Sequence, residues 1–176
     1  MATDLYVLTG GLATGKTEII KGLSKHGYKA YPELEQSVLD EFFKNKNPKD
    51  NPMLYATEWF KKKLNQYDSA IKNGGGFFDR GILDPLAIFL FLGKSIPKEL
   101  EINKREVRYS EKVFLIEQIP KEWFGGIWPR KLLSEEESKT FEKLLKHFYE
   151  NEGYNVIAVP SMSVNNRIDF ILKNII

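Results

Sequence analysis

The sequence predicts an α/β fold with three layers, in which a five-stranded parallel sheet lies between helices on both faces. Five short apolar segments rich in β-forming residues alternate with longer segments whose apolar residues recur at helical spacing. A glycine-rich loop joins the first apolar segment directly to the first helical segment. Strands that alternate with helices in this way form a mostly parallel sheet, because each helix carries the chain back across a face of the sheet.

The first third of the chain is predicted to supply two strands and two helices. Leu5–Thr9 is apolar and is followed by two glycines, which is typical of a buried strand. The helix after the loop is expected to end near Gly27. Residues 28–31 predict a short second strand that Pro32 ends, and residues 34–43 have a helical pattern.

The middle third is predicted to supply two helices and one strand. Residues 45–52 are rich in Asn, Lys, Asp and Pro and predict a loop, whereas residues 53–72 predict one long helix. Three glycines at residues 74–76 break that helix. Residues 77–79 predict the third strand, and residues 83–92 predict the helix that follows it.

The last third is predicted to hold two strands and two helices around an irregular segment. Residues 94–109 have a mixed pattern and are expected to be partly helical. The irregular segment, residues 117–131, contains two prolines, two glycines and two tryptophans, and we interpret it as a lid over a site. Ser134 and the three glutamates after it are typical of a helix start. The remaining elements are a fourth strand at residues 112–116, a helix that ends at Gly153, a fifth strand at residues 155–159 and a closing helix at residues 164–176.

The composition excludes several classes of protein. The chain has 176 residues, of which 42% are hydrophobic, so residues 1–176 are expected to form one domain with its own core. The 26 Lys and Arg residues against 24 Asp and Glu residues leave a formal charge of +2, which is too small to predict nucleic acid binding. The absence of cysteine excludes disulfides, thiolate metal sites and a cysteine nucleophile. Because no signal-like segment and no apolar run of membrane-spanning length occurs, we expect a cytoplasmic protein without a transmembrane segment.

The loop after the first strand carries the most specific motif in the sequence. Residues 10–17 match the pattern Gly, four residues, Gly-Lys-Thr, between a predicted strand and a predicted helix. Glycines let backbone N–H groups surround phosphate oxygens, and the helix that starts there adds the positive end of its dipole. Lys16 is expected to reach the β- and γ-phosphates of ATP or GTP, and Thr17 to offer its hydroxyl to Mg²⁺. The predicted nucleotide-binding residues of the loop are Gly11, Leu12, Ala13, Thr14, Gly15, Lys16 and Thr17. The alternative is a glycine turn that caps a helix and binds nothing.

Charged residues follow two other predicted strands. Glu33 comes after the second strand, and Asp79 and Arg80 come after the third. Ligands of open α/β sheets bind at the carboxyl ends of strands, where these side chains are expected. Asp79 is the type of residue that holds Mg²⁺ or its waters, Arg80 is suited to grip a phosphate or the acceptor, and Glu33 is suited to act as a general base or acceptor anchor. The alternatives are a local salt bridge with a helix cap for Asp79 and Arg80, and a helix start for Glu33.

Further candidates lie in the lid and after the fifth strand. Arg130 lies in the predicted lid, where a mobile cation could close over transferring phosphate. Arg167 could border the nucleotide base, and for both arginines the alternative is a surface position. The aromatic residues Trp123, Phe124 and Trp128 could stack on a base or cover a lipid or protein partner, and the alternative is packing within the lid.

Several separated motifs follow one another in an order that is specific for one family. The segments are Leu8-Thr9-Gly10-Gly11, Gly15-Lys16-Thr17, Pro32-Glu33, Phe78-Asp79-Arg80-Gly81 with Asp84, Lys112-Val113-Phe114-Leu115, Gly153-Tyr154-Asn155-Val156, Val159-Pro160, and Ser163-Val164 before Arg167. In these segments the chain resembles, over nearly its whole length, the NadR-like AAA-type domain, a P-loop family of ATPases and kinases related in shape to nucleoside and nucleotide kinases. One departure is Ile127, which stands where family members often carry the Asp of an Asp-x-x-Arg pair, so Arg130 is left alone there.

The resemblance implies a P-loop NTPase fold with strand order 2-3-1-4-5. It also implies a Mg-nucleotide on the loop and an acceptor pocket between Glu33, the pair Asp79 and Arg80, and the lid. In similar deoxynucleoside kinases a glutamate after the second strand is the base, which favours that role for Glu33. Some members look like ribosylnicotinamide kinases, and others look like GTP- and phospholipid-binding proteins.

Two functional hypotheses follow from the sequence. The first is a small-molecule kinase in which Mg-ATP binds the loop, Glu33 takes the acceptor proton, and Arg80 and Arg130 offset phosphate charge. The second is a nucleotide-dependent switch that uses the aromatic lid to engage a protein or phospholipid partner. No Asn-Lys-x-Asp guanine signature occurs in the sequence, so the base of the nucleotide and the acceptor stay open.

Overall fold

The structure, a computed structural model, describes residues 4–44, 47–120 and 133–175. The strands in this part of the chain are β1 Leu5–Thr9, β2 Ala30–Tyr31, β3 Gly76–Asp79, β4 Lys112–Ile116 and β5 Asn155–Val159. The helices are α1 Lys16–Lys25, α2 Glu35–Phe42, α3 Pro52–Lys72, α4 Leu83–Phe91, α5 Lys98–Arg105, α6 Glu135–Asn151 and α7 Val164–Ile175. A 3₁₀ turn at Pro48–Asp50 lies between α2 and α3.

The five strands form one parallel sheet in the order β2-β3-β1-β4-β5. The central strand is β1, in which Val7 pairs with Phe78 of β3 on one side and with Val113 of β4 on the other. This arrangement confirms the strand order that the family resemblance implies. Because all five strands are parallel, their carboxyl ends meet at one edge of the sheet, where open α/β sheets bind ligands.

Helices cover both faces of the sheet, as the alternation of elements predicts. Successive side chains of a strand point to opposite faces. In β1, Val7 accordingly belongs to a core formed with α3, α4 and α6, whereas Leu8 belongs to a core formed with α1 and α7. A smaller cluster joins α2 to α3 through Val38 and Trp59, and it lies beside the carboxyl edge of the sheet.

Two elements differ in extent from the prediction. The second strand begins at Ala30 rather than at residue 28, because the N–H of Tyr28 still donates to the carbonyl of Leu23 at the end of α1. The predicted loop at residues 45–52 contains the 3₁₀ turn. Asn51 follows this turn, and its side chain accepts a hydrogen bond from the N–H of Leu54 and so starts α3 at Pro52.

The start of α6 agrees with the prediction, and the segment before it lies largely outside the described residues. Ser134 and Glu137 form a reciprocal capping box at the N-terminus of α6. Of the predicted lid, residues 121–131 are outside the described part of the chain, and these include Arg130 and the lid aromatics. Among the helices that the structure describes, none is both long enough and apolar enough to cross a membrane.

Candidate active site

The loop at residues 10–17 leads from β1 into α1 and forms one wall of a pocket. Gly15 caps α1 with a φ of 79°, and Gly10 has a φ of 137° at a point where an added Cβ would lie 2.6 Å from the carbonyl oxygen of Ile116. Both positions therefore require glycine. The pocket has a volume of about 210 Å³ and is lined by residues 11–17 together with Glu33, Glu35, Asp79 and Arg80. We call it the phosphate pocket.

Lys16 is buried within this loop, with 7% of its surface exposed. Its Nζ donates to the carbonyl of Gly11 at 2.7 Å and to Oγ1 of Thr14 at 2.8 Å. Burial and then the charge of Arg80 lower the pKa of Lys16 to about 7, although nearby carboxylates such as Asp79 oppose this shift. A polyphosphate in the pocket would add negative charge beside Nζ and so favour the charged ammonium.

Thr17 and Asp79 come together as the sequence predicts. The hydroxyl of Thr17 donates to Oδ2 of Asp79 at 3.0 Å, and Asp79 is buried at the end of β3. These two side chains present hard oxygen donors to the phosphate pocket, which is the type of ligand that Mg²⁺ prefers. Within residues 4–44, 47–120 and 133–175, no cluster of three or more His, Cys, Asp or Glu residues could hold a metal. Thr17 and Asp79 are accordingly the oxygen donors that a divalent cation could use in this pocket.

Arg80 is buried behind the phosphate loop and has a left-handed backbone with a φ of 68°. Its Nη1 donates to the carbonyl of Gly10 at 2.8 Å and to Oδ1 of Asp84 at 2.9 Å, and its Nε lies 3.1 Å from Oε2 of Glu33. Burial alone would lower the pKa of Arg80, but Asp84 and Glu33 outweigh it and raise the pKa. Arg80 therefore stays charged and joins the loop to both carboxylates.

Asp84 is fully buried and holds Arg80 in place. Besides Arg80, its carboxylate accepts hydrogen bonds from the hydroxyl of Thr9 at 2.7 Å, the N–H of Gly81 at 3.0 Å and the hydroxyl of Tyr149 at 2.8 Å. The bond from Gly81 is local and lies at the start of α4. The other three bonds connect the end of β1, the residue after β3, and α6, so Asp84 is the centre of a buried polar network.

Glu33 lies in the loop after β2, where this loop contacts α3. Its Oε1 accepts hydrogen bonds from the N–H of Leu34 at 2.7 Å, the N–H of Glu35 at 3.2 Å and the indole N–H of Trp59 at 2.9 Å. Its Oε2 accepts no hydrogen bond from the described residues, although Nε of Arg80 lies near it. Burial raises the pKa of Glu33, which suits a group that accepts a proton.

Arg167 lies beside the phosphate loop but does not line the phosphate pocket. Its guanidinium is buried and donates to three carbonyls, those of Thr14 in the loop, Glu117 after β4 and Pro160 after β5. Burial lowers the pKa of Arg167, and the charge of Glu117 opposes this shift. The contacts place Arg167 against the backbone of the loop, and its predicted role at the nucleotide base stays a prediction.

Two residues of α6 hold the first half of the phosphate loop, and the sequence analysis missed both. Oγ of Ser138 accepts a hydrogen bond from the N–H of Leu12 at 2.8 Å, and Oε2 of Glu142 accepts one from the N–H of Gly11 at 3.1 Å. A Cβ added at Gly11 would lie 2.8 Å from Oγ of Ser138, so a larger residue there would displace this hydroxyl. One sequence signal could have pointed to Ser138, because this polar residue lies three positions before Phe141 and so on the apolar face of α6.

A second, mostly apolar cavity adjoins the phosphate pocket. Its volume is about 320 Å³, and it shares Leu12, Glu35 and Arg80 with the phosphate pocket. The other lining residues are Pro48, Lys49, Pro52, Tyr55, Trp59, Ile88, Phe91, Leu92, Leu133, Glu137 and Phe141. We call it the apolar cavity. It lies between α2, α3, α4 and α6. The resemblance implies an acceptor pocket between Glu33, the pair Asp79 and Arg80, and the lid, and of these three named residues Arg80 lines the apolar cavity.

A parallel sheet of this order, with a Gly-Lys-Thr loop between its central strand and the next helix, defines the class of P-loop folds. A protein-family model described as AAA domain matches residues 5–167. The chain therefore belongs to this AAA domain family, and the resemblance to NadR-like P-loop proteins is confirmed. A comparison with curated proteins finds none that matches the sequence.

Three solved structures illustrate the fold that the chain shares. Deoxyadenosine kinase from M. mycoides with bound dATP has a TM-score of 0.65 and 17% identity, over 97% of this chain and 98% of that one. NadR protein in complex with NR has a TM-score of 0.72 and 16% identity, over 97% of this chain and 51% of that one. Thymidylate kinase from Candida albicans has a TM-score of 0.59 and 12% identity, over 99% and 91% of the two chains. At these identities the likeness shows a common fold.

Proposed function

We propose that this chain is a Mg-dependent P-loop kinase that transfers the γ-phosphoryl group of ATP to a hydroxyl of a small, nucleoside-like molecule. The observation that carries the proposal is the meeting of two pockets at Arg80, with Glu33 on the phosphate side of the junction. One pocket is polar and suits phosphates, and the other is apolar and suits the body of an acceptor. Two adjoining sites of opposite character are what a transfer between two substrates requires.

The phosphate pocket supplies the groups that hold a nucleotide. Backbone N–H groups of residues 13–17 and the N-terminus of α1 favour phosphate oxygens, and Lys16 adds a positive charge. Thr17 and Asp79 would hold Mg²⁺, which supplies further charge neutralisation for the phosphates when bound. GTP would be held by the same contacts, since none of them touches the base.

Glu33 is proposed as the general base. The acceptor hydroxyl gives its proton to Oε2 of Glu33 as its oxygen forms a bond to the γ-phosphorus, and ADP leaves with the electrons of the broken P–O bond. Oε2 is suited to this step because the described residues give it no hydrogen bond. Arg80 lies beside the same oxygen, with its Nε 3.1 Å from Oε2, and adds positive charge near the transferred group. Arg130 is expected to add a second charge from the lid.

The apolar cavity indicates the class of acceptor. Aromatic and aliphatic side chains form most of its wall, many of them from α3, α4 and α6, and its volume of about 320 Å³ suits a compact ring system. The similar structures named above were solved with dATP and with NR, which favours a nucleoside-like acceptor here. The acceptor hydroxyl would face Arg80 and Glu33, and the ring would lie between Trp59 and Phe91.

The test is phosphoryl transfer from radiolabelled ATP and Mg²⁺ to a panel of nucleosides and ribosylnicotinamide. The unmodified protein is expected to label at least one acceptor. Glu33→Gln is expected to lower the rate of phosphoryl transfer by about 10²–10⁴-fold. Nucleotide binding, measured by thermal shift, is expected to survive in this variant. Glu41→Gln is the matched control, because Glu41 is an exposed glutamate of α2 paired with Lys62. Slow ATP hydrolysis with no labelled acceptor, together with nucleotide-dependent binding to a protein or to phospholipid vesicles, would instead favour the switch hypothesis.

A further inference from the structure

One face of α3 carries three polar side chains that point at the segment around Glu33. Trp59, Lys63 and Gln66 are spaced i, i+4 and i+7, so they lie on one side of the helix. The indole N–H of Trp59 donates to Oε1 of Glu33 at 2.9 Å, and Nε2 of Gln66 donates to the carbonyl of Pro32 at 2.9 Å. We call these three residues the α3 stripe. It contacts Glu33 and the residue just before it.

Lys63 is the most unusual member of the α3 stripe, because its side chain is fully buried. Its Nζ donates to the backbone carbonyl of Asp79 and to Oε1 of Gln66, and it lies 3.8 Å from Oε1 of Glu33. A buried ammonium is costly unless an opposite charge and hydrogen-bond acceptors surround it. An apolar residue would fill the same space without that cost. The charge of Lys63 therefore points to a role toward Glu33.

The two carboxylate oxygens of Glu33 differ in their hydrogen bonds. Oε1 is saturated by two backbone N–H groups and the indole of Trp59, and it faces Lys63. Oε2 is left without a hydrogen bond from the described residues and faces Arg80 at the edge of the phosphate pocket. A rotation of the carboxylate would break three bonds at Oε1. Trp59 of the stripe supplies one of these three bonds, and the backbone of Leu34 and Glu35 supplies the other two. Together with Lys63 they set the orientation of the carboxylate, so that one of its two equivalent oxygens faces Arg80.

We propose that the α3 stripe is the device that positions Glu33, with Lys63 balancing its negative charge and Trp59 and Gln66 fixing its orientation. The proposal rests on the proposed function, since it takes Glu33 as the base. Lys63 does not touch the substrate pockets and is a positioning residue, not a catalytic one.

The charges around Glu33 determine what the loss of Lys63 should do. Burial raises the pKa of Glu33, and Lys63 is the strongest of the groups that lower it, followed by Arg80. Asp79 and Glu35 face the same carboxyl and raise the pKa further. Removing the charge of Lys63 should therefore raise the pKa of Glu33 and leave it protonated over a wider range of pH.

The indole N–H of Trp59 offers a direct probe of this carboxyl. The sequence contains three tryptophans, so a ¹⁵N–¹H spectrum of the full chain shows few indole signals, and Trp59→Phe identifies the one that belongs to Trp59. Because this N–H donates to Oε1 of Glu33, its chemical shift should follow the protonation of Glu33 as the pH is changed. Glu33→Gln should abolish that titration step.

Lys63→Gln is the decisive variant, because it removes the charge and keeps an N–H donor for the carbonyl of Asp79. The pH midpoint of the titration step seen at the Trp59 indole signal is expected to rise by about one pH unit or more in Lys63→Gln. It should stay near its original position in Lys63→Arg, which keeps the charge. Lys62→Gln, which removes a neighbouring lysine that pairs with Glu41, is the matched control and should not move it. A step that does not move in Lys63→Gln would overturn the proposal.

A second variant covers the case in which Lys63→Gln does not fold. Gln66→Leu removes the bond to the carbonyl of Pro32 and one acceptor of Lys63, so the Trp59 indole signal and its titration step are both expected to shift. An unchanged signal in this variant would contradict the stripe. The readout needs neither nucleotide nor acceptor, so it is independent of the proposed function. If the step moves as expected but no phosphoryl transfer is found, the positioning of Glu33 stands and its role as a base fails.

Discussion

The two adjoining pockets are built in opposite ways. The phosphate pocket takes most of its wall from one continuous segment, residues 11–17, and its polar groups include backbone N–H groups at the start of α1. The apolar cavity takes its wall from side chains of α2, α3, α4 and α6, which are distant in sequence. The first is therefore fixed by backbone conformation, and the second by the packing of helices. We expect substitutions to separate nucleotide binding from acceptor binding, except at the residues that join the pockets.

Asp84 lines neither pocket but pairs with Arg80, which lines both, and its loss should have the largest effect. Asp84→Ala leaves Arg80 buried without its closest carboxylate and removes four hydrogen bonds, so we expect the free energy of unfolding to fall by about 4 kcal/mol. Thermal or urea unfolding measures this change. Asp40→Ala, at an exposed position on α2, is the matched control and should be nearly neutral. A neutral Asp84→Ala would mean that the network does not hold the two pockets together.

Lys16 belongs to the phosphate pocket alone. Lys16→Ala removes the only lysine that lines this pocket within the described residues, so we expect phosphoryl transfer to fall by about 10²–10³-fold, or about 3 kcal/mol. The stabilisation of the protein by Mg-ATP in a thermal shift measurement should also be lost. Lys21→Ala, on the exposed side of α1 and paired with Glu18, is the control. A Lys16→Ala protein that binds nucleotide as tightly as the parent would refute the phosphate pocket itself.

Phe91 belongs to the apolar cavity alone. Its ring packs edge-on against Phe141 with centroids 5.5 Å apart, and both rings line the cavity. Phe91→Ala should raise KM for the acceptor about tenfold, or about 1.4 kcal/mol, with little change in the binding of Mg-ATP. Steady-state kinetics with the acceptor found in the panel measures the first quantity. Phe42→Ala, an exposed aromatic residue of α2 outside both pockets, is the matched control. Equal losses of binding affinity for Mg-ATP and for the acceptor would show that the two pockets do not act separately.

The difference between the pockets also explains how far the sequence could be interpreted. The Gly-Lys-Thr loop and the meeting of Thr17 with Asp79 were predictable, because they depend on local motifs and on the rule that parallel strands end at one edge. The strand order came from the family resemblance. The apolar cavity and the burial of Lys63 were not predictable from the sequence. Lysine at position 63 is ordinary in a long helix with many polar residues, and its burial depends on contacts with Glu33 and with the carbonyl of Asp79, which are distant in sequence. The central role of Asp84 was hidden for the same reason, since Tyr149 lies 65 residues away.

Ser138 tests whether α6 contributes to the phosphate pocket through the loop backbone. Ser138→Ala leaves the N–H of Leu12 without its acceptor, so we expect Mg-ATP binding to weaken by about 1 kcal/mol, or about fivefold, with KM for the acceptor less affected. Thr140→Ala, which removes an exposed hydroxyl two residues along the same helix, is the matched control. Calorimetric titration with Mg-ATP measures the change. If Ser138→Ala binds nucleotide normally, the loop holds its conformation without the hydroxyl of Ser138, and the bond from Gly11 to Glu142 is the contact with α6 that remains. If binding weakens as expected, the helix that begins just after the predicted lid is part of the nucleotide site.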